Sequence, residues 1–159
     1  MGTTSDEIYD LFMLNIMNDN ILNNIYTTSG SAAAVIYAEP WLMRAIDTYA
    51  RFCTEDLTYT ESDGTTIGYF AATLSRRSRN ILARAMTKYW LEQQVSNAIA
   101  FGRFFSDREF RMSAPMLPSL QNYLILVTES VDQMISDYAW DTNDWTNWQA
   151  GNFSGSSLV

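Results

Sequence analysis

Four carboxylates within one short segment are the side chains of this sequence whose types best suit catalysis. They are Glu55, Asp56, Glu61 and Asp63, and two acids are the minimum that glycoside hydrolysis requires. Acidic side chains in a polar loop are more often simply solvated. The sequence contains no histidine, which excludes Ser-His-Asp and Cys-His sites and removes the side chain best suited to acid–base chemistry near neutral pH. We therefore predict a protein without catalytic activity.

Motifs for metal ions and nucleotides are missing as well. Cys53 is the single cysteine, so disulfides within the chain and thiolate zinc sites are excluded. The acidic segment 141–144 lacks the glycine and the terminal glutamate of an EF-hand loop. The seven glycines form neither GxGxxG nor GxxxxGK[ST]. We expect neither a metal ion nor a cofactor.

Basic side chains are concentrated in one segment of a chain whose net charge is −8. No acid lies between Asp63 and Glu92, whereas five basic residues lie there: Arg76, Arg77, Arg79, Arg84 and Lys88. Residues 1–43 and 112–159 hold acids and no base. The basic cluster is therefore a solvated helix face, a set of salt bridges with the acidic ends of neighbouring subunits, or a contact with nucleic-acid backbone. The negative net charge disfavours a general attraction for nucleic acid.

The sequence predicts that most of these residues lie on or between helices. Apolar residues recur at steps of three and four and predict helices over about residues 5–18, 40–53, 74–100 and 118–139. Residues 57–69 alternate around a turn signal and predict either a short β-hairpin or an irregular loop. We predict a mainly α protein, in which residues 1–140 form a bundle of about four helices and residues 141–159 form an extended docking tail.

Two groups of apolar residues are predicted to contact partners. Leu91, Val95 and Ala98 form a second stripe on the long helix 74–100 and would stay exposed in a single small domain. Trp145, Trp148 and Phe153 lie in a polar, acidic tail that has no core of its own. Those aromatic side chains either pack against their own chain or anchor the tail in a groove of a partner.

The run 81–91 (ILARAMTKYWL), Phe110 and Ser113, and the helix that ends at Tyr138-Ala139-Trp140 resemble small head–tail connector (adaptor) proteins of tailed bacteriophages. The resemblance covers about residues 50–140. It implies a helical subunit of a homo-oligomeric ring, often a dodecamer, between the portal protein and a tail or neck protein. It further implies that viral DNA passes through the ring without sequence-specific binding, and that the protein belongs to the virion neck after assembly in the host cytoplasm.

The asparagine-rich N-terminal region and the tryptophan-bearing tail depart from that family. The N-terminus lacks the basic region of a secretory signal, and no window is apolar enough for a membrane span. We therefore expect no membrane partner. The alternative interpretation is a cytosolic helical protein-binding module or regulator without catalytic activity, and an enzyme that uses only carboxylates is the weakest interpretation.

Overall fold

The computed structural model describes residues 2–16, 25, 27–102 and 116–142. The long helices within these residues are α1 (Ser5–Asn15), α2 (Ser31–Tyr49), α3 (Arg76–Gly102) and α4 (Met116–Thr142). A two-stranded antiparallel sheet, formed by β1 (Tyr59–Thr60) and β2 (Tyr69–Phe70), lies between α2 and α3 in the chain. The protein is a mainly helical bundle with a small hairpin, and the predicted fold class is confirmed.

α3 is the central helix, since α1, α2 and α4 all pack against it. Its consecutive residues Ile81, Leu82 and Ala83 are all buried. Successive residues of a helix point about 100° apart, so burying three in a row requires neighbours on more than one side. The three packed helices supply those neighbours, which explains why the apolar pattern of α3 covers two faces.

α2 begins nine residues earlier than predicted and contains Pro40 in its interior. A start at Pro40 was expected because proline is favoured in a first turn. An interior proline removes a backbone hydrogen bond and costs about 3 kcal/mol in an isolated helix. The preceding turns bury Ala34 and Ala38 completely and Val35 almost completely. We attribute the longer helix to this packing, because burial of these side chains outweighs the local preference of proline for the first turn of a helix.

The hairpin is extended by the N-terminal segment. β1 and β2 pair with Tyr59 opposite Phe70. On the other edge of β2, the Phe70 amide donates to the Thr3 carbonyl over 2.8 Å, and the Ser5 amide donates to the Gly68 carbonyl over 3.0 Å. These bonds fix the start of α1 against the hairpin.

Candidate interaction surfaces

Three of the four acids singled out in the sequence serve as hydrogen-bond acceptors for the loops around them, and the fourth, Glu61, is exposed. Glu55 accepts from the Ser75 amide over 2.9 Å and from the Ser78 hydroxyl over 2.8 Å. Although desolvation opposes the effect, these hydrogen bonds lower the pKa of Glu55. Glu55 thus places an ionised carboxylate at the N-terminus of α3, where the helix dipole favours negative charge.

Asp56 and Asp63 have similar local roles. Asp56 accepts from the amide and the hydroxyl of Thr58, and Asp63 accepts from the amides of Thr65 and Thr66. These hydrogen bonds lower the pKa of both carboxyl groups. Such contacts are typical of Asx turns, so each of these two carboxylates stabilises the turn that follows it in the chain.

A further acid with defined partners, Glu39 on α2, was not singled out in the sequence. Its carboxylate accepts from the Tyr59 hydroxyl over 2.7 Å, from the Ser62 amide over 2.8 Å and from the Ser62 hydroxyl. Glu39 therefore fastens the hairpin to α2. Its partners lie 20 and 23 residues away in the sequence, and no local pattern indicates such a pairing.

The basic cluster of α3 is partly neutralised by acids from both ends of the chain. Arg77 pairs with Asp141 at the end of α4 over 2.5 Å, and Arg79 pairs with Glu7 in the first turn of α1 over 2.5 Å. The hydrogen bond with Asp141 raises the pKa of Arg77. The basic middle of the chain thus meets its acidic ends within one chain.

The other members of the cluster are spread along α3. The Arg84 guanidinium lies 3.5 Å from the side-chain oxygen of Asn15, and the Lys88 ammonium lies 5.4 Å from the centroid of the Tyr89 ring. Arg76 is exposed at the start of α3. The five basic side chains therefore do not form one continuous unpaired face for a phosphate backbone.

The structure corrects the prediction that Leu91, Val95 and Ala98 remain exposed in a single chain. Leu91 is fully buried, Val95 is buried and Ala98 is half-buried. Leu91 packs within the hydrophobic core of the bundle. Leu91 and Val95 are therefore not a free surface for a partner.

Two other surfaces of the bundle expose apolar side chains. One is the α2–α4 groove, a depression of about 520 Å³ between the C-terminal ends of α2 and α4. Phe52 and Trp140 stand at its walls with 50% and 62% of their surface exposed. The remaining lining residues are Thr48, Asp132, Ile135, Ser136 and Ala139.

The second is the Tyr123 surface, which we define by Leu14, Tyr123 and Leu126. Leu14 and Tyr123 line one depression of about 340 Å³, and Leu126 lies one turn along α4 from Tyr123. Leu14 and Leu126 are 66% and 61% exposed. Residues 11–16 of the chain and residues 116–128 contain no charged side chain, so the helical segments that form this surface are neutral.

Trp145, Trp148 and Phe153 lie outside the described residues, as does nearly all of the predicted tail 141–159. Within the described residues, no cluster of three or more metal-binding side chains occurs. No helix in that part of the chain is both long and apolar enough to cross a bilayer.

Comparison of the chain with protein-family models, with curated proteins and with solved structures finds no significant match. Functional inference therefore depends on the residues and surfaces described above.

Proposed function

We propose that this protein is a non-catalytic structural subunit that associates with copies of itself through the Tyr123 surface. The observation that carries this proposal is the contiguous exposure of Leu14, Tyr123 and Leu126 on neutral helical segments. Contiguous exposed apolar side chains mark interaction sites in soluble proteins, whereas single ones are ordinary.

The charge distribution supports self-association through this surface. Each copy carries a net charge of −8, so two copies repel one another at most relative orientations. A contact centred on the neutral segments leaves the flanking acids Asp10 and Glu129 at its edge.

We further propose that the assembly is a ring, and that the protein is a head–tail connector of a tailed bacteriophage, positioned between the portal protein and the tail. The resemblance of residues 81–91 and of the helix ending at Trp140 supports this assignment. The acidic character of the chain suits the wall of a DNA channel, because repulsion of phosphate keeps the passing DNA from adhering. The protein would then act in the virion neck and would need neither a cofactor nor catalytic residues.

Charge substitution tests the proposed interface. Leu126→Asp places a carboxylate in the Tyr123 surface and should lower the sedimentation coefficient of the assembly toward that of the monomer. Gln121→Asp adds the same charge to an exposed position five residues earlier on α4, which faces another direction because successive residues rotate by about 100°. This control should assemble normally, and circular dichroism should show equal helicity for both variants.

Two results would count against the proposal. A wild-type protein that remains monomeric at every concentration, with and without the portal protein of the encoding phage, would favour a monomeric binding module. Equal assembly of the two variants would remove the Tyr123 surface from the interface.

A further inference from the structure

A ring with more than two members needs two different contact surfaces on every subunit. A contact in which a surface meets its own copy has twofold symmetry and ends at a dimer, whereas a head-to-tail contact joins two different surfaces and continues from copy to copy. The Tyr123 surface alone therefore accounts for a pair of copies. The ring proposed above requires a second surface that receives the Tyr123 surface of a neighbour.

The α2–α4 groove lies on the opposite flank of α4 from the Tyr123 surface. Leu14 of α1 belongs to the Tyr123 surface, whereas Thr48 of α2 lines the groove. Ser136 in the groove follows Tyr123 by thirteen residues, which corresponds to about 20 Å along the helix and about 140° around it. One subunit thus presents an apolar surface on each side of α4, which is the arrangement that a head-to-tail contact uses.

The groove has room for side chains of a second copy. Its volume of about 520 Å³ lies within the range of pockets that enclose drug-sized ligands. Phe52 and Trp140 form exposed apolar walls. Leu14 and Leu126 of the Tyr123 surface are exposed to a similar extent. Each surface therefore offers apolar area that the other can remove from water.

The charges around the groove favour a neutral occupant. Among the described residues that line the groove, Asp132 alone is charged. Two grooves placed face to face would bring Asp132 close to its own copy, and like charges at close range repel. A basic partner would meet Arg51, which is exposed and directly precedes Phe52 in the chain. Residues 116–128, which supply most of the Tyr123 surface, contain no charged side chain and avoid both repulsions.

We propose that the Tyr123 surface of one copy docks in the α2–α4 groove of the next copy, so that the subunits join head to tail. This inference rests on the proposed self-association and names the surface that receives the Tyr123 surface. Leu14 and Leu126 of one copy then pack against Phe52 and Trp140 of its neighbour.

Substitutions in the groove test this docking. Ser136→Glu adds a carboxylate to the groove, and Phe52→Ala removes one of its walls without adding charge. Both positions are exposed, so neither substitution alters the core of the bundle. We expect sedimentation velocity to show single copies for Ser136→Glu and roughly tenfold weaker association for Phe52→Ala.

Ser96→Glu is the matched control, because it makes the same substitution at an exposed serine of α3 that lines neither depression. It should assemble as the wild-type protein does. Circular dichroism should show equal helicity for the control and for both groove variants.

A mixture of two variants tests the head-to-tail geometry directly. Leu126→Asp leaves the groove intact, and Ser136→Glu leaves the Tyr123 surface intact. Neither variant should assemble alone. The mixture should form a complex of one copy of each that grows no further, because each copy has one blocked surface. A Tyr123 surface that pairs with its own copy would instead let Ser136→Glu form a dimer alone.

Three results would overturn the inference and leave the proposed self-association in place. Wild-type assembly by Ser136→Glu and Phe52→Ala, with assembly still blocked by Leu126→Asp, would exclude the groove. A dimer of Ser136→Glu alone would show that two Tyr123 surfaces pair with each other. Absence of the mixed complex over the whole concentration range would show that the two surfaces do not meet. A wild-type protein that is always a single copy would instead overturn the proposed function as well.

Discussion

Removal of the Ser78 hydroxyl is expected to lower the free energy of unfolding measurably, although the substitution removes only one oxygen atom. Ser78 is fully buried on α3, and its hydroxyl lies 2.9 Å from the Tyr49 hydroxyl and 2.8 Å from the Glu55 carboxylate. Ser78→Ala leaves the completely buried Tyr49 hydroxyl without this partner. A buried polar group that loses its hydrogen bond costs about 1–3 kcal/mol.

The surroundings of Tyr49 place the expected cost in the lower part of that range. Cys53 and Tyr138 also interact with the Tyr49 hydroxyl and compensate for part of the loss. Glu55 is partly exposed, so water replaces Ser78 as its donor. We therefore expect Ser78→Ala to lower the free energy of unfolding by about 1–2 kcal/mol.

Urea unfolding followed by circular dichroism measures this change as a lower midpoint with an unchanged slope. Tyr49→Phe removes the hydroxyl that Ser78→Ala leaves without its partner, so the double variant should lose less than the sum of the two single losses. A Ser78→Ala variant whose unfolding free energy differs from that of wild type by less than about 0.5 kcal/mol, the range of an ordinary surface substitution, would contradict this expectation. Losses that simply add in the double variant would contradict it as well.

Three further predictions concern the loops and the acids. Hydrogen bonds lower the pKa of Glu55 in the folded protein, so the ionised carboxylate stabilises the fold above the pKa that Glu55 has in the unfolded chain. This stabilisation is lost as the pH falls through the lowered pKa. Glu55→Gln should therefore make the free energy of unfolding fall less steeply between about pH 5 and pH 3. Gly68→Ala should destabilise the hairpin by about 1–3 kcal/mol in urea unfolding, since an added Cβ would clash with the Tyr59 hydroxyl oxygen and would lie 2.7 Å from the backbone carbonyl oxygen of Thr60. We expect no turnover of peptidoglycan or nucleic acid, and a measured turnover that disappears in Glu55→Gln or Glu61→Gln would contradict the non-catalytic assignment.

Most of the long helices were predictable from the sequence because local patterns encode them, whereas the turn signal at Gly64 left a hairpin and an irregular loop as alternatives for residues 57–69. Steps of three and four between apolar residues predict the cores of α1, α3 and α4. The start of α2 was not predictable in this way. Pro40 indicates a first turn locally, whereas the burial of Ala34 and Ala38 against other helices extends the helix beyond it.

The candidate surfaces were less predictable, because exposure depends on which helices become neighbours. Leu91 and Leu126 are both leucines within amphipathic helices, yet one is fully buried and the other is 61% exposed. The difference arises from the central position of α3, which no local pattern specifies. The pairing of Arg79 with Glu7 depends in the same way on the packing of α1 against α3.

A subunit that assembles with its own copies has a larger mass in solution than a single copy, so the mass of the purified wild-type protein is the decisive measurement. A single copy has a mass of 18.1 kDa. Mass photometry over a dilution series, with negative-stain images of the same sample, measures both the number of copies and the shape of the assembly. We expect a discrete multiple of the single-copy mass and ring-shaped particles. A single-copy mass at all concentrations, unchanged when the portal protein is present, would contradict it.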